Sequence, residues 1–370
     1  SPAICTTYRV PCSCRGPFHF GIICNMTEKI LVTEYGDVHY WISDIDKNRI
    51  TMFFLHGLTA SHDLFCQQIP YFSDNYNVIV WDAPAHGLSR PYADFTYEKA
   101  AKDAVKILDI NGIESAVFIG QSMGGFISQS VIKRYPERVT GFVSIDSTPF
   151  GKKYYSRSDM WWLRQIEWMS SLYPDKSLRK AVAKQCTRTE RSYQNMLNML
   201  SVYGKKELCH LMSIGYAGFL DDNSDITIGC PVLLIVGEHD KTGKVIRYNK
   251  EWSKDLGVPI MWIKDAAHNS NDDQPEQVNE HIGLFLTKIR IRQMEELSDK
   301  VYAALSDNNA SDLAIRDAIS KLEGYYTGPL WKTDLALDEA GKLPEDLKRG
   351  VLSEDGIYNL LERYKESTEE

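Results

Sequence analysis

Six short runs in this chain are apolar almost throughout: residues 50–55 (Ile-Thr-Met-Phe-Phe-Leu), 77–82, 115–120, 139–145, 232–237 and 259–263. A strand buried on both faces reads as such a run, whereas a half-exposed strand alternates. Stretches of helical period fall between them at 97–111, closed by Gly112, and at 123–135, and another follows at 274–291. Buried strands spaced by helices form a parallel sheet with helices on both faces, a doubly wound α/β domain. Two alternating runs, 29–34 and 38–43, flank Tyr35-Gly36-Asp37 and add an antiparallel hairpin at its start.

Residues 148–228 break the alternation and read as several helices carrying Met160, Trp161, Trp162, Trp168, Met169, Met196, Met199 and Met212. An insertion between strands of an open sheet lies above their carboxyl ends, where ligands bind. We expect a helical cap over an apolar pocket, with Trp161, Trp162 and Gln121 as candidate substrate-binding residues. The alternative is that these aromatic and Met side chains only pack the cap onto the sheet. The expected divisions are a leader foreign to the fold (1–26), an α/β core (27–147 and 229–291), the cap (148–228) and an acidic all-α module (292–370). Within that module, 293–305, 311–322 and 354–365 have helical period.

Charge supports the last division. Residues 291–370 hold 18 Asp and Glu against 10 Lys and Arg, while the remainder balances at 32 against 32. Neither part has the overall basic excess that nucleic acid or an anionic membrane requires. No run approaches the roughly 18 apolar residues of a membrane-spanning helix. Four of the eight cysteines, Cys5, Cys12, Cys14 and Cys24, crowd the leader without the second pair that a zinc site needs. The others are scattered and read as reduced thiols. With no basic region followed by a long apolar run near residue 1, the expected location is cytoplasmic.

Gly120-Gln121-Ser122-Met123-Gly124-Gly125 falls between an apolar strand and a helix. Gly-x-Ser-x-Gly in that context is a nucleophile elbow, a tight turn that lifts the serine hydroxyl above the sheet. A serine hydroxyl reacts near neutral pH only when a base takes its proton and a carboxylate orients the base. Asp240, in Gly237-Glu-His-Asp240, and His268 each follow a later apolar run, so both fall at the same sheet edge as Ser122. Glu238 and Asp146 are rival acids. Backbone N–H groups of Met123 and Leu58 are placed to hold an oxyanion. The loop 82–89 (Asp-Ala-Pro-Ala-His-Gly-Leu-Ser) reaches the same edge and reads as structural. No metal-ligand, dinucleotide or phosphate-loop spacing occurs, so no cofactor or metal is expected.

On Leu55-His56-Gly57, the 82–89 loop, Gly120-Gln-Ser-Met-Gly124-Gly, Gly237-Glu-His-Asp240 and His268, residues 27–290 resemble the α/β-hydrolase superfamily, in its branch with a helical cap. The sequence departs from the usual pattern at Gln121, where the family has His, and at Ala85, where it has Gly. A serine nucleophile makes the superfamily's haloalkane dehalogenases and epoxide hydrolases poor matches. Residues 293–364, with Leu343-Pro-Glu-Asp-Leu-Lys-Arg-Gly, resemble a small bacterial helical domain of unknown function, which implies no activity.

These readings together point to a serine hydrolase of carboxylic esters with small to medium, largely apolar acyl groups. Its partner is a small-molecule ester, and the C-terminal module is available for a protein partner or self-association. The same residues would also serve a carbon–carbon hydrolase, a lactonase or an acyltransferase. A reading of a different class is a ligand-binding regulator with a slow or vestigial triad.

Overall fold

The computed structural model describes residues 5–8, 26–307 and 312–369. The expectations for Cys12, Cys14 and Cys24 therefore lie outside the described residues. Among those residues nine strands form one sheet: β1 (Cys5–Tyr8), β2 (Thr27–Val32), β3 (Asp37–Ile42), β4 (Thr51–Leu55), β5 (Asn77–Trp81), β6 (Ala116–Gln121), β7 (Val139–Ile145), β8 (Val232–Gly237) and β9 (Ile260–Ile263). Their spatial order is β1-β2-β3-β5-β4-β6-β7-β8-β9. The pairings β1–β2, β2–β3 and β3–β5 are antiparallel, and those from β5 through β9 are parallel.

The central strands are buried on both faces, as their unbroken apolar sequence requires: Met52, Phe53, Phe54, Val78, Ile79, Val80, Val117 and Phe118 are all inaccessible. The helix Tyr97–Ile110 starts at Thr96, whose side chain accepts from the Lys99 N–H, and buries Ala100, Ala101, Ala104, Ile107 and Leu108. From β4 the chain goes outward to β5, then crosses back to β6 on the other side of β4. That reversal is a topological switch point at the carboxyl ends of β4 and β6, the edge at which doubly wound sheets place ligands. The helices from Arg157–Leu163 to Lys205–Asp222 fill the long connection between β7 and β8.

Residues 1–280 and 281–370 form two compact units. The expected break between 274–291 and 293–305 is absent; Pro275–Ser306 is one continuous helix. No Gly or Pro interrupts 284–306, so nothing in the chain stops the helix. A helix at Pro329–Glu339 was not expected from periodicity; Gly328 caps it and Pro329 occupies its first turn. The second unit closes on a core that includes Ile291, Leu322, Trp331, Leu352 and Leu360. Within it the Arg290 guanidinium donates to both carboxylate oxygens of Asp334, which also accept from Thr287 and Tyr325 hydroxyls. A buried ion pair without such added partners would be a cost rather than a support.

Candidate active site

Ser122 sits between β6 and the helix Met123–Arg134 with φ 48° and ψ −112°. This is a strained conformation for a residue with a side chain. Flanking atoms hold it there: its N–H donates to the Ile145 carbonyl at 2.9 Å, and its carbonyl accepts from Ser147 Oγ at 2.7 Å. Glycine is required beside it, because a Cβ on Gly124 would collide with the Leu55 carbonyl.

Asp240 and His268 follow β8 and β9. His268 Nδ1 lies 2.8 Å from Asp240 Oδ2, and its Nε2 lies 2.8 Å from Ser122 Oγ. A carboxylate only accepts, so Nδ1 carries the proton and Nε2 is left to accept from the serine hydroxyl. Burial disfavours the imidazolium, but the Asp240 carboxylate outweighs it and holds His268 above its ordinary pKa. The other Asp240 oxygen accepts from the Thr242 N–H at 2.7 Å.

The two rival acids take other places. Glu238 is exposed. Asp146, buried beneath the pair, accepts from the Gly237 N–H at 2.7 Å and the Ser270 N–H at 3.0 Å. It thus links the loop that carries Asp240 to the one that carries His268. Its own burial, and then the charge of Asp240, raise its pKa well above the usual carboxylate range.

Leu58 and Met123 follow the carboxyl ends of β4 and β6, and neither N–H donates to another protein group among the described residues. The cap helix Lys205–Asp222 closes over this edge. Gly215 meets the Leu58 side chain, and Phe219 stacks on Phe126, one turn beyond Ser122, with ring centroids 4.3 Å apart.

The three residues expected to bind substrate differ in their surroundings. Gln121 is buried, and its Nε2 donates to the His268 carbonyl at 2.8 Å, so its amide holds the histidine loop instead of lining a pocket. Trp161 and Trp162 are 55% and 53% exposed and pack edge to face on each other. Their neighbours Met160 and Leu163 take the inward positions against the core. Adjacent residues on a helix cannot all face inward, and the apolar character of the segment alone does not reveal which do.

The sequence reading overlooked Asp273. It accepts from the Arg188 and Thr189 N–H groups of the cap and from the Ala267 N–H beside His268. The polar run Asn269-Ser-Asn-Asp-Asp273 was its only signal.

A second histidine–carboxylate pair lies at the carboxyl end of β5. Asp82 Oδ1 lies 2.8 Å from His62 Nδ1 and accepts from the His62 N–H, while Oδ2 accepts from the Leu88 N–H at 2.7 Å. Burial works against the His62 charge, but Asp82 prevails and raises its pKa to about 9. Burial likewise opposes the Asp82 anion, yet His62 brings it down to about 2. Nearby, burial lowers His56 to about 4, and its Nε2 accepts from the Ala83 N–H at 2.9 Å. That neutral ring ties the Leu58 loop to the 82–89 loop.

Among the described residues no group of three His, Cys, Asp or Glu side chains could hold a metal, and no helix is long and apolar enough to cross a membrane.

A family model described as the alpha/beta hydrolase fold matches residues 50–275, and one described as a domain of unknown function matches residues 291–370. The uncharacterized hydrolase YugF of Bacillus subtilis is 27% identical over 261 residues, 64% of this chain and 90% of that protein. The 3-oxoadipate enol-lactonase 2 of Acinetobacter baylyi is 24% identical over 242 residues, 63% of this chain and 86% of the lactonase. A thermophilic esterase from Thermogutta terrifontis shares the fold at TM-score 0.58 and 20% identity, over 71% of this chain and 98% of the esterase.

Proposed function

Since the chain belongs to the α/β-hydrolase fold family, we propose that it hydrolyses carboxylic esters through an acyl-enzyme on Ser122. The observation that carries this reading is the continuous hydrogen-bonded chain from Ser122 Oγ through His268 to Asp240. Ser122 Oγ attacks the ester carbonyl carbon while His268 Nε2 takes its proton. The C–O bond to the alcohol then breaks, and His268 returns the proton to the departing alkoxide. Water, deprotonated by His268 in turn, attacks the acyl carbon; the acid leaves and Ser122 recovers its proton. The free N–H groups of Leu58 and Met123 stabilise the oxyanion in both halves. Asp240 keeps the proton on Nδ1, and Asp146 acts through it as a positioning residue.

Leu58 and Phe126, backed by Gly215 and Phe219 of the cap, favour an apolar acyl group of modest size. A lactone is a cyclic ester open to the same steps, and the likeness to an enol-lactonase favours that second reading. An intact proton-transfer chain is more than a ligand-binding regulator needs. Cys66, Cys186, Cys209 and Cys230 are free, which fits a reducing, cytoplasmic setting. The C-terminal module remains our candidate for a partner surface, without chemistry of its own.

The test is initial rates on p-nitrophenyl esters of increasing acyl length, and on lactones, for wild type and Ser122→Ala. We expect turnover that peaks at short or medium chains and falls by about 10⁴-fold or more in the variant. Equal rates in both proteins would overturn the assignment of Ser122.

A further inference from the structure

Fourteen large hydrophobic side chains stand exposed among the described residues, and five of them fall within thirteen positions: Trp161, Trp162, Trp168, Leu172 and Tyr173. Each is more than half exposed, and three of the chain's eight tryptophans are among them. Stray exposed leucines are ordinary, but a dense group of exposed aromatic residues marks an interaction surface.

The charge around the group indicates what it meets. Residues 152–191 hold ten Lys and Arg against four Asp and Glu, in a chain whose net charge is −8. The even balance of residues 1–290 conceals this local excess. Immediately after Tyr173 comes the helix Asp175–Cys186, on which Lys176, Lys180 and Lys184 recur every fourth residue along one face. All three are exposed, and none forms an ion pair among the described residues. Lys205, whose ammonium donates to the Ser171 carbonyl at 2.8 Å, adds a further cation beside Leu172.

Tryptophan and tyrosine at the surface, flanked by unpaired lysines, are suited to the boundary of a lipid bilayer. The rings enter the headgroup region, and the ammonium groups pair with lipid phosphates. A polar protein partner would leave the aromatic surface unmatched, and an apolar one would leave the lysines without counter-charges. We propose that residues 161–184 of the cap form an interfacial surface that binds anionic bilayers peripherally, without spanning them.

The experiment is co-sedimentation of the full chain with vesicles of phosphatidylcholine alone and of phosphatidylcholine mixed with phosphatidylglycerol, with tryptophan emission recorded in parallel. The proposal expects binding to the mixed vesicles, a blue shift on binding, and loss of binding as salt rises from about 0.05 to about 0.5 M. The variant Trp161→Ser/Trp162→Ser/Trp168→Ser and the variant Lys176→Glu/Lys180→Glu/Lys184→Glu should each weaken partitioning by about tenfold or more. All six side chains are exposed, so unchanged thermal unfolding separates lost binding from lost folding. Absence of binding to the mixed vesicles, or binding that both variants retain, would overturn the proposal. So would a wild-type dimer in solution that the tryptophan variant abolishes, which would make the surface a contact between copies of this chain.

Discussion

Two histidine–carboxylate pairs follow the carboxyl ends of the sheet's strands, and both are 2.8 Å long: the buried His268 with Asp240, and the half-buried His62 with the buried Asp82. In each, a buried carboxylate faces an imidazole Nδ1. They differ at the far side of the ring. His268 Nε2 meets the Ser122 hydroxyl, whereas His62 Nε2 has a second carboxylate, Asp63, 3.6 Å away. The ring of His62 also lies 3.7 Å from that of Trp41. A histidine between two acids stays protonated and serves as a cationic clamp. A histidine between one acid and a hydroxyl is left with a lone pair directed at a proton it can remove. The pairing that orients a histidine therefore does not make it a base; what faces its other nitrogen decides.

The largest effect expected from this contrast comes from Asp240→Asn. Its amide N–H would face Nδ1–H, so the ring adopts the other tautomer and Nε2 can no longer accept from Ser122. Steady-state kinetics should show kcat reduced by about 10³–10⁴-fold with the fold intact. A loss below tenfold would mean that the acid is supplied from elsewhere, with Asp146 the first candidate.

A smaller effect on turnover, but a clear one on stability, is expected from His62→Gln. The folded-state pKa of His62 lies above its unfolded value, so its contribution is complete below about pH 6.5 and disappears as pH rises through about 9. That of Asp82, whose pKa is lowered, is present above about pH 4 and fades as pH falls toward 2. Chemical unfolding between pH 6.5 and 9.5 should therefore show wild type losing on the order of 2–3 kcal/mol, and the variant much less. Its kcat should stay within about tenfold of wild type. Parallel stability curves for the two proteins would show that the pair carries no linked charge.

Much of the fold was legible because β4 through β8 are buried on both faces, which leaves an uninterrupted apolar signature in the chain. Ser122 and Asp240 could be singled out because each follows such a strand, and His268 because it follows the apolar run of the edge strand β9, whose Trp262 is exposed; position along the sequence already implied position along one edge. The clamp at His62 left no comparable sign. His62 follows a turn rather than a strand, and its partner is twenty residues away. Apolar side chains on a short helix indicate burial without indicating direction, so nothing in the local sequence distinguishes Trp161 and Trp162 from Met160 and Leu163. Their exposure depends on Met160 and Leu163 having taken the inward face. Gln121 lies inside the elbow motif, yet its role depends on the His268 carbonyl, 147 residues away and invisible to local pattern.

If His268 activates Ser122 and His62 activates nothing, labelling with a fluorophosphonate followed by mass spectrometry of the intact protein and its peptides separates the two histidines. We expect one adduct per chain, on Ser122, formed rapidly in wild type and in His62→Gln but slowed by orders of magnitude in His268→Ala. An adduct on another residue, or labelling of Ser122 that survives the loss of His268 unchanged, would contradict that expectation.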